Sequence, residues 1–156
     1  MSDGDITIFE SCAMMHYVLD RYGKGRLQPA KDDRTYAYYL QWSWFAEATF
    51  ARPLGEIVNH RREFNPELED VVAEMKSRAT ACVAALDAAL ADRPYLLGEK
   101  MCAADLSICY TTRGYRRMVT ESLPATYQAY FDRVTALPSY AAAMKADADT
   151  AVKLKG

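Results

Sequence analysis

Two adjacent polar residues, Glu10 and Ser11, offer the most definite chemistry in this 156-residue sequence. They stand between a short apolar strand pattern at 6–9 and an amphipathic helix pattern at 12–22, which Gly23 is expected to end. A helix that starts directly after a strand presents free backbone N–H groups and a positive dipole end, which suit a carboxylate or phosphate. Ser11 adds a hydroxyl, and Glu10 adds an acceptor for an ammonium group. The pair therefore predicts a site for the zwitterionic end of an amino acid, with a plain helix cap as the alternative.

The cysteines and histidines offer less chemistry. Cys12, Cys82, Cys102 and Cys109 form no C-x-x-C pair, and the chain's two histidines have no ligand spacing. We therefore expect free, mostly buried thiols, no disulfide framework and no metal site. Cys12 has two interpretations, because a thiolate in the first turn of a helix is stabilised by the helix dipole. It is either a reactive nucleophile or a small packing residue.

The composition is that of a folded domain without nucleic-acid or membrane partners. Apolar residues make up 51% of the chain, charged residues 26%, and the formal net charge is −2, which favours neither nucleic acid nor an anionic membrane. The apolar runs are too short to span a bilayer, and the first residues lack a secretory signal. The expected location is the cytoplasm.

Beyond the opening corner, the sequence has the periodicity of five or six helices. A loop rich in glycine, proline and charge at 24–32 leads into a long helix at 34–62. Pro53 should kink that helix at 49–52, because its ring removes a donor and crowds the previous turn. Further helices are predicted from Asn65-Pro66 to Ala91, from Cys102 onward, at 123–136 and after Leu137.

The helix that begins at Cys102 carries a capping box. Asp105 stands three residues after Cys102, so its carboxylate can accept a hydrogen bond from the Cys102 N–H. The reciprocal bond needs a good acceptor at the cap, and sulfur is a poor one. We therefore expect a structural cap at Cys102 and Asp105 in which only half of the pair is made.

Four segments, in order, resemble the cytosolic glutathione transferases of bacterial type. The resemblance implies a mainly α fold, in which a helical C-terminal bundle follows a remnant strand and helix of a thioredoxin-like domain. It places the remnant at 1–23, a linker at 24–32 and the all-helical domain at 33–156, with Cys102 departing from the family's Ser or Thr. The matching segments are E-S-x-A-x-x-x-Y-V-x-x-x-Y-G at 10–23, Y-L-Q-W-x-x-F-A-E-A-T at 39–49, Y-L-L-G-E-K-M-C-A-A-D at 95–105 and the L-P repeats at 123–140.

The family conjugates the thiolate of glutathione to a small hydrophobic electrophile. The resemblance implies that Glu10 and Ser11 bind the γ-glutamyl end of glutathione, which is a substrate here. The Ser, Tyr or Cys that activates the thiol in the family has no counterpart in the sequence, so we name no catalytic residue and expect a truncated thioredoxin-like domain. The chain is thus either a transferase or a non-catalytic helical module that binds ligands or partners. A homodimer through the helices at 12–22 and 34–62 is expected.

Aromatic residues cover nearly every side of the long helix, so they cannot all lie in the core. Tyr39 and Phe45 have core spacing, whereas Tyr36 and Tyr38 are candidates for the electrophile (acceptor) site. The run of arginines on the later helix is expected to be a solvated face, with an anion-binding role as the alternative. Those arginines are Arg113, Arg116 and Arg117.

Overall fold

Within residues 1–153, which the computed structural model describes, the chain is mainly helical, as predicted. No helix in that range is both long and apolar enough to cross a bilayer. The elements are β1 (Ser2–Asp3), β2 (Ile6–Thr7), α1 (Ser11–Tyr22), α2 (Thr35–Trp44), a π-helical segment (Phe45–Phe50), α3 (Ala51–Glu63), α4 (Glu69–Ala89), α5 (Ala103–Met118), α6 (Ala125–Thr135) and α7 (Pro138–Lys153).

The opening strand is shorter than the predicted 6–9 and pairs with the first residues of the chain. β1 and β2 form an antiparallel hairpin around Gly4, which has a φ of 61°. Phe9 lies outside the strand and is 81% exposed. The Asp3 carboxylate accepts hydrogen bonds from the hydroxyls of Tyr17, at 2.8 Å, and Tyr22. These bonds fix the hairpin to α1.

The segment between α1 and α2 is held against the bundle through its backbone. Gly23 follows the last residue of α1, as predicted, and has helical torsion angles; the positive φ values of this segment fall on Lys24, Gly25 and Leu27. Further on, the Leu27 carbonyl accepts a hydrogen bond of 2.7 Å from the N–H of Ala103. The linker thereby satisfies one of the unpaired donors at the start of α5.

The long helix predicted at 34–62 is present as α2, the π segment and α3 in direct succession. Pro53 has no N–H for the Thr49 carbonyl, and its ring crowds that carbonyl. A π segment lies just upstream of Pro53 and overlaps the position 49–52 at which the kink is predicted. The freed Thr49 carbonyl accepts the Cys82 thiol at 3.8 Å. This contact between the Cys82 thiol and the Thr49 carbonyl joins the long helix to α4.

The start of α4 differs from the prediction. The Asn65-Pro66 start is wrong, because α4 begins at Glu69, with Leu68 as the capping residue. The Leu68 N–H donates to Nε2 of His60 at 2.9 Å, and His60 is buried. A histidine from the preceding helix thus takes the place of a local side-chain cap, which no local sequence pattern indicates.

Helix α5 is the buried centre of the bundle and packs against α2, the π segment, α3 and α6. Asp105 is 0% exposed and accepts hydrogen bonds from the N–H of Cys102 at 2.7 Å, the N–H of Leu96 at 3.0 Å and the Tyr130 hydroxyl at 3.0 Å. The Cys102 sulfur lies in the capping-box position next to the Asp105 N–H but makes no side-chain capping hydrogen bond, and that N–H donates to the Cys102 carbonyl at 3.1 Å, in agreement with a half-made box. Burial raises the pKa of Asp105, and its hydrogen bonds oppose that rise.

The remaining core follows the sequence pattern closely. The helix predicted at 123–136 is present as α6, and its buried apolar face consists of Tyr127, Tyr130, Phe131 and Val134. Tyr39 is fully buried as expected, but Phe45 is only half-buried. The buried Thr112 and Tyr127 hydroxyls pair at 2.6 Å, which satisfies both polar groups.

Candidate functional site

The corner before α1 is strained. Glu10 has φ 72° and ψ 114°, in the left-handed half of the backbone map, although it is not a glycine. A conformation of this kind costs about 1–3 kcal/mol and is found mainly at binding and active sites. The Glu10 carbonyl accepts the first hydrogen bond of the helix, from Met14 at 2.9 Å. The strained residue is therefore fixed at the point where strand becomes helix.

The start of α1 has no side-chain cap. The first N–H groups of an α-helix have no partner inside the helix, and here they belong to Ser11, Cys12 and Ala13. Ser11 is exposed, and its hydroxyl donates to Oε1 of Glu47 at 3.0 Å. Glu47 lies in the π segment, so the tertiary fold brings a second carboxylate beside Glu10 and Ser11. The corner therefore combines open N–H donors, one hydroxyl and two acidic residues.

A cleft of about 470 Å³ opens beside this corner, and Ser11 and Glu47 belong to its wall. We call it the corner cavity. Gly55 and Gly114 are also on the wall, each inside a helix, where glycine costs about 0.5–1 kcal/mol relative to alanine. The missing side chain of Gly55 leaves open space, whereas a methyl group at Gly114 would lie 3.4 Å from Met118 and 3.5 Å from Leu54. The other lining residues are Ala51, Leu54, Val58, Tyr110, Thr111, Arg113, Arg117, Met118 and Asp147.

The environment of Cys12 disfavours the reactive-nucleophile interpretation. Partial burial and the nearby Glu47 carboxylate raise the pKa of its thiol to about 11. Its sulfur faces the Ser43 carbonyl at 4.0 Å. Despite its place in the first turn of α1, the thiol is therefore protonated at neutral pH.

The other predicted site residues lie elsewhere. Tyr36 is half-buried, with its ring 5.8 Å from that of Tyr39, and Tyr38 is 59% exposed. Neither is among the residues that line the corner cavity. Sequence reasoning missed Glu47, because nothing in a helical pattern indicates that a residue 36 positions from Ser11 contacts it.

Comparisons with known proteins show the fold. No family model and no curated protein matches the sequence. Among solved structures, a glutathione transferase of Phanerochaete chrysosporium with oxidised glutathione is 25% identical, with a TM-score of 0.81, covering 97% of this chain and 68% of its own. A glutathione S-transferase of Anopheles dirus is 21% identical, with a TM-score of 0.80, covering 99% and 73%. One from Actinobacillus pleuropneumoniae is 20% identical, with a TM-score of 0.77, covering 92% and 66%.

These similarities confirm the resemblance at the level of the fold. They extend over nearly all of the chain, whereas the chain spans about two thirds of the length of these proteins. The division at 24–32 between a remnant and a helical domain stays a prediction. So do the site residues, because similarity of fold does not by itself assign function.

Proposed function

Because this chain has the glutathione transferase fold, we propose that it binds glutathione at the corner formed by Glu10 and Ser11. The observation that carries the proposal is the strained Glu10 before an uncapped helix start. A purely structural corner gains nothing from this arrangement, since a Ser, Asp or Asn cap without strain would be more stable.

The corner matches both charges of a γ-glutamyl group. Its carboxylate would accept hydrogen bonds from the N–H groups of Ser11 and Cys12 and from the Ser11 hydroxyl. Its ammonium would lie between the carboxylates of Glu10 and Glu47. The ligand carboxylate would then replace Glu47 as the acceptor for Ser11, and the released Glu47 would be free to pair with the ammonium.

The corner cavity is the proposed place of the second substrate. In the conjugation, the thiolate sulfur of glutathione attacks an electrophilic carbon, a carbon–sulfur bond forms, and the leaving group departs with its electron pair. The thiol proton passes to solvent. Tyr36 and Tyr38 stay predictions for this acceptor site, and Tyr110, which is 65% exposed, joins them from the cavity wall.

Assembly and location complete the proposal. We expect a cytoplasmic homodimer that uses α1 and the long helix. An apolar groove of about 450 Å³ between the long helix and α4 is compatible with such a contact, with Phe45, Ala48, Ala81 and Ala85 on its walls. Light scattering after gel filtration would give the mass of the particle in solution, and a monomer at all concentrations would exclude this part of the proposal.

Binding and turnover test the proposal separately. Calorimetry should detect binding of reduced glutathione to the wild-type chain, and Ser11→Ala should weaken it about tenfold, because charge-assisted hydrogen bonds are worth about 1.5–3 kcal/mol. Ser77→Ala is the matched control, since Ser77 is an exposed serine on α4. Turnover of a chlorodinitrobenzene-type substrate would establish the transferase. Equal affinity in the wild type and both variants would exclude the corner.

A second candidate function is a non-catalytic module that binds glutathione or a related ligand. The point in its favour is that no residue of the corner is assigned to activate the glutathione thiol, and Cys12, the nearest protein thiol, has its own pKa raised to about 11. Glutathione binding without turnover of any electrophile would support this candidate. Turnover that depends on Ser11 would exclude it.

A further inference from the structure

We propose that the corner cavity selects ligands that carry an anionic group, which Arg113 and Arg117 bind. The assignment of the ligand as the acceptor substrate rests on the proposed function, whereas the anion site itself does not. The predicted class is a small apolar or aromatic compound with one carboxylate.

The two arginines have the geometry of a clamp. They stand four residues apart on α5, so they share one face of the helix, and both line the corner cavity. Gly114 lies between them on the same wall, close to Leu54 and Met118, and Gly55 on the facing helix leaves open space there. The guanidinium carbon of Arg113 lies 5.9 Å from the centre of the Tyr110 ring, which helps to hold its orientation.

Both guanidinium groups are available to a ligand. Among residues 1–153, neither has a carboxylate oxygen within 4 Å, whereas five other arginines are paired with a carboxylate, as in Arg52 with Glu56 at 2.9 Å. The cavity's own acids do not neutralise them: Glu47 accepts the Ser11 hydroxyl, and Asp147, on the wall, makes no ion pair in the described part of the chain. Arginine is well suited to bind a carboxylate through two parallel hydrogen bonds.

The third arginine of the run has a different environment. Arg116 lies over the Phe131 ring at 5.2 Å and donates to the Glu121 carbonyl at 3.2 Å. It does not line the corner cavity. The chain therefore contains its own control: an arginine on the same helix that shares a smaller cleft with Arg113 and Arg117 but already has partners and is absent from the wall of the corner cavity.

The rest of the wall determines the body of the ligand. Leu54, Val58 and Met118 give it apolar surface, and Tyr110 adds an aromatic ring. Ser11 and Glu47 are on the same wall and belong to the proposed glutathione corner. A compound with its apolar part against α3 and its carboxylate on α5 would lie next to bound glutathione.

A pair of unreactive probes tests the site on the full chain. Biphenyl-4-carboxylate and its neutral carboxamide differ in charge but have nearly the same shape, and calorimetry at neutral pH measures both. We expect the carboxylate to bind about tenfold more tightly, as charge-assisted hydrogen bonds allow. The double variant Arg113→Gln/Arg117→Gln should lose that preference, while Arg116→Gln should keep it. Glutathione binding, measured in parallel, should be the same in all of these proteins.

The outcomes separate this inference from the proposed function. Equal affinity for the two probes, or a preference that survives in the double variant, overturns the anion site. A double variant that loses glutathione affinity and keeps the probe preference also overturns it, because the arginines would then bind the tripeptide. If glutathione does not bind but the preference depends on the two arginines, the proposed function fails and the anion site stands.

Discussion

Two helix starts in this molecule use similar residues for different purposes. Helix α5 begins with Cys102 and Asp105, and the buried Asp105 carboxylate accepts three hydrogen bonds there. Helix α1 begins with Glu10 and Ser11, and its backbone donors are uncapped beside a strained residue. The first arrangement stabilises the fold. The second leaves its first N–H groups without a side-chain cap beside the strained Glu10, and these are the donors that the proposed ligand would use.

A substitution at the buried start of α5 should give the largest effect, a loss of stability. Asp105→Ala leaves two N–H groups and the Tyr130 hydroxyl without their acceptor in the core, so the free energy of unfolding should fall by about 3–5 kcal/mol. Urea denaturation followed by circular dichroism measures the change. Asp70→Ala, at the exposed start of α4, is the control and should cost less than about 1 kcal/mol. Similar losses in the two variants would remove the contrast.

The thiols at the two starts should react slowly. The pKa of Cys12 is about 11 and that of Cys102 about 12, raised in both by burial. Only the thiolate reacts, so at pH 8 Cys12 should be alkylated by iodoacetamide about a hundredfold more slowly than a free cysteine. Its rate should still rise up to about pH 11. Mass spectrometry of timed samples gives the rates. A Cys12 rate that levels off near pH 7 would revive the reactive interpretation.

At the start of α1, a substitution should change glutathione binding and not stability. Glu47→Gln removes one of the two carboxylates proposed to face the γ-glutamyl ammonium. Glutathione affinity should fall about fivefold, as expected for an exposed charge pair worth about 1 kcal/mol. The free energy of unfolding should hardly change. Glu63→Gln, exposed at the end of α3, is the control for calorimetry, and a loss of affinity there equal to that of Glu47→Gln would count against the corner.

The smallest effect on stability and binding should come from a substitution of Gly55, one of the two glycines on the wall of the corner cavity. A methyl group at Gly55 would meet no atom within 4 Å, so Gly55→Ala should raise the free energy of unfolding by about 0.5–1 kcal/mol through helix propensity alone. It should also weaken binding of biphenyl-4-carboxylate, because it narrows the corner cavity. Thermal denaturation and calorimetry measure the two effects. A variant that is more stable and binds equally well would show that the open wall has no role.

The sequence was sufficient for whatever depends on local periodicity. The helices at 34–62 and 123–136 follow from apolar spacing, and the cap at Cys102 and Asp105 follows from the pattern at 95–105. The pairing of β1 with β2, the π segment and the cap that His60 provides for Leu68 all depend on tertiary contacts. The same division holds for the candidate site. Glu10 and Ser11 could be found from the sequence, whereas Glu47 and the two arginines of the corner cavity are brought to one wall only by the tertiary fold.

The central claim is that the start of α1 binds the γ-glutamyl end of glutathione. Amide NMR spectra of the wild-type chain, titrated with reduced glutathione and separately with cysteinylglycine, test it most directly. We predict that glutathione shifts the N–H signals of Ser11, Cys12 and Ala13 more than any others, and that the dipeptide, which lacks the γ-glutamyl group, leaves them unchanged. Unmoved Ser11–Ala13 signals at saturating glutathione, or equal shifts with both compounds, would contradict the claim.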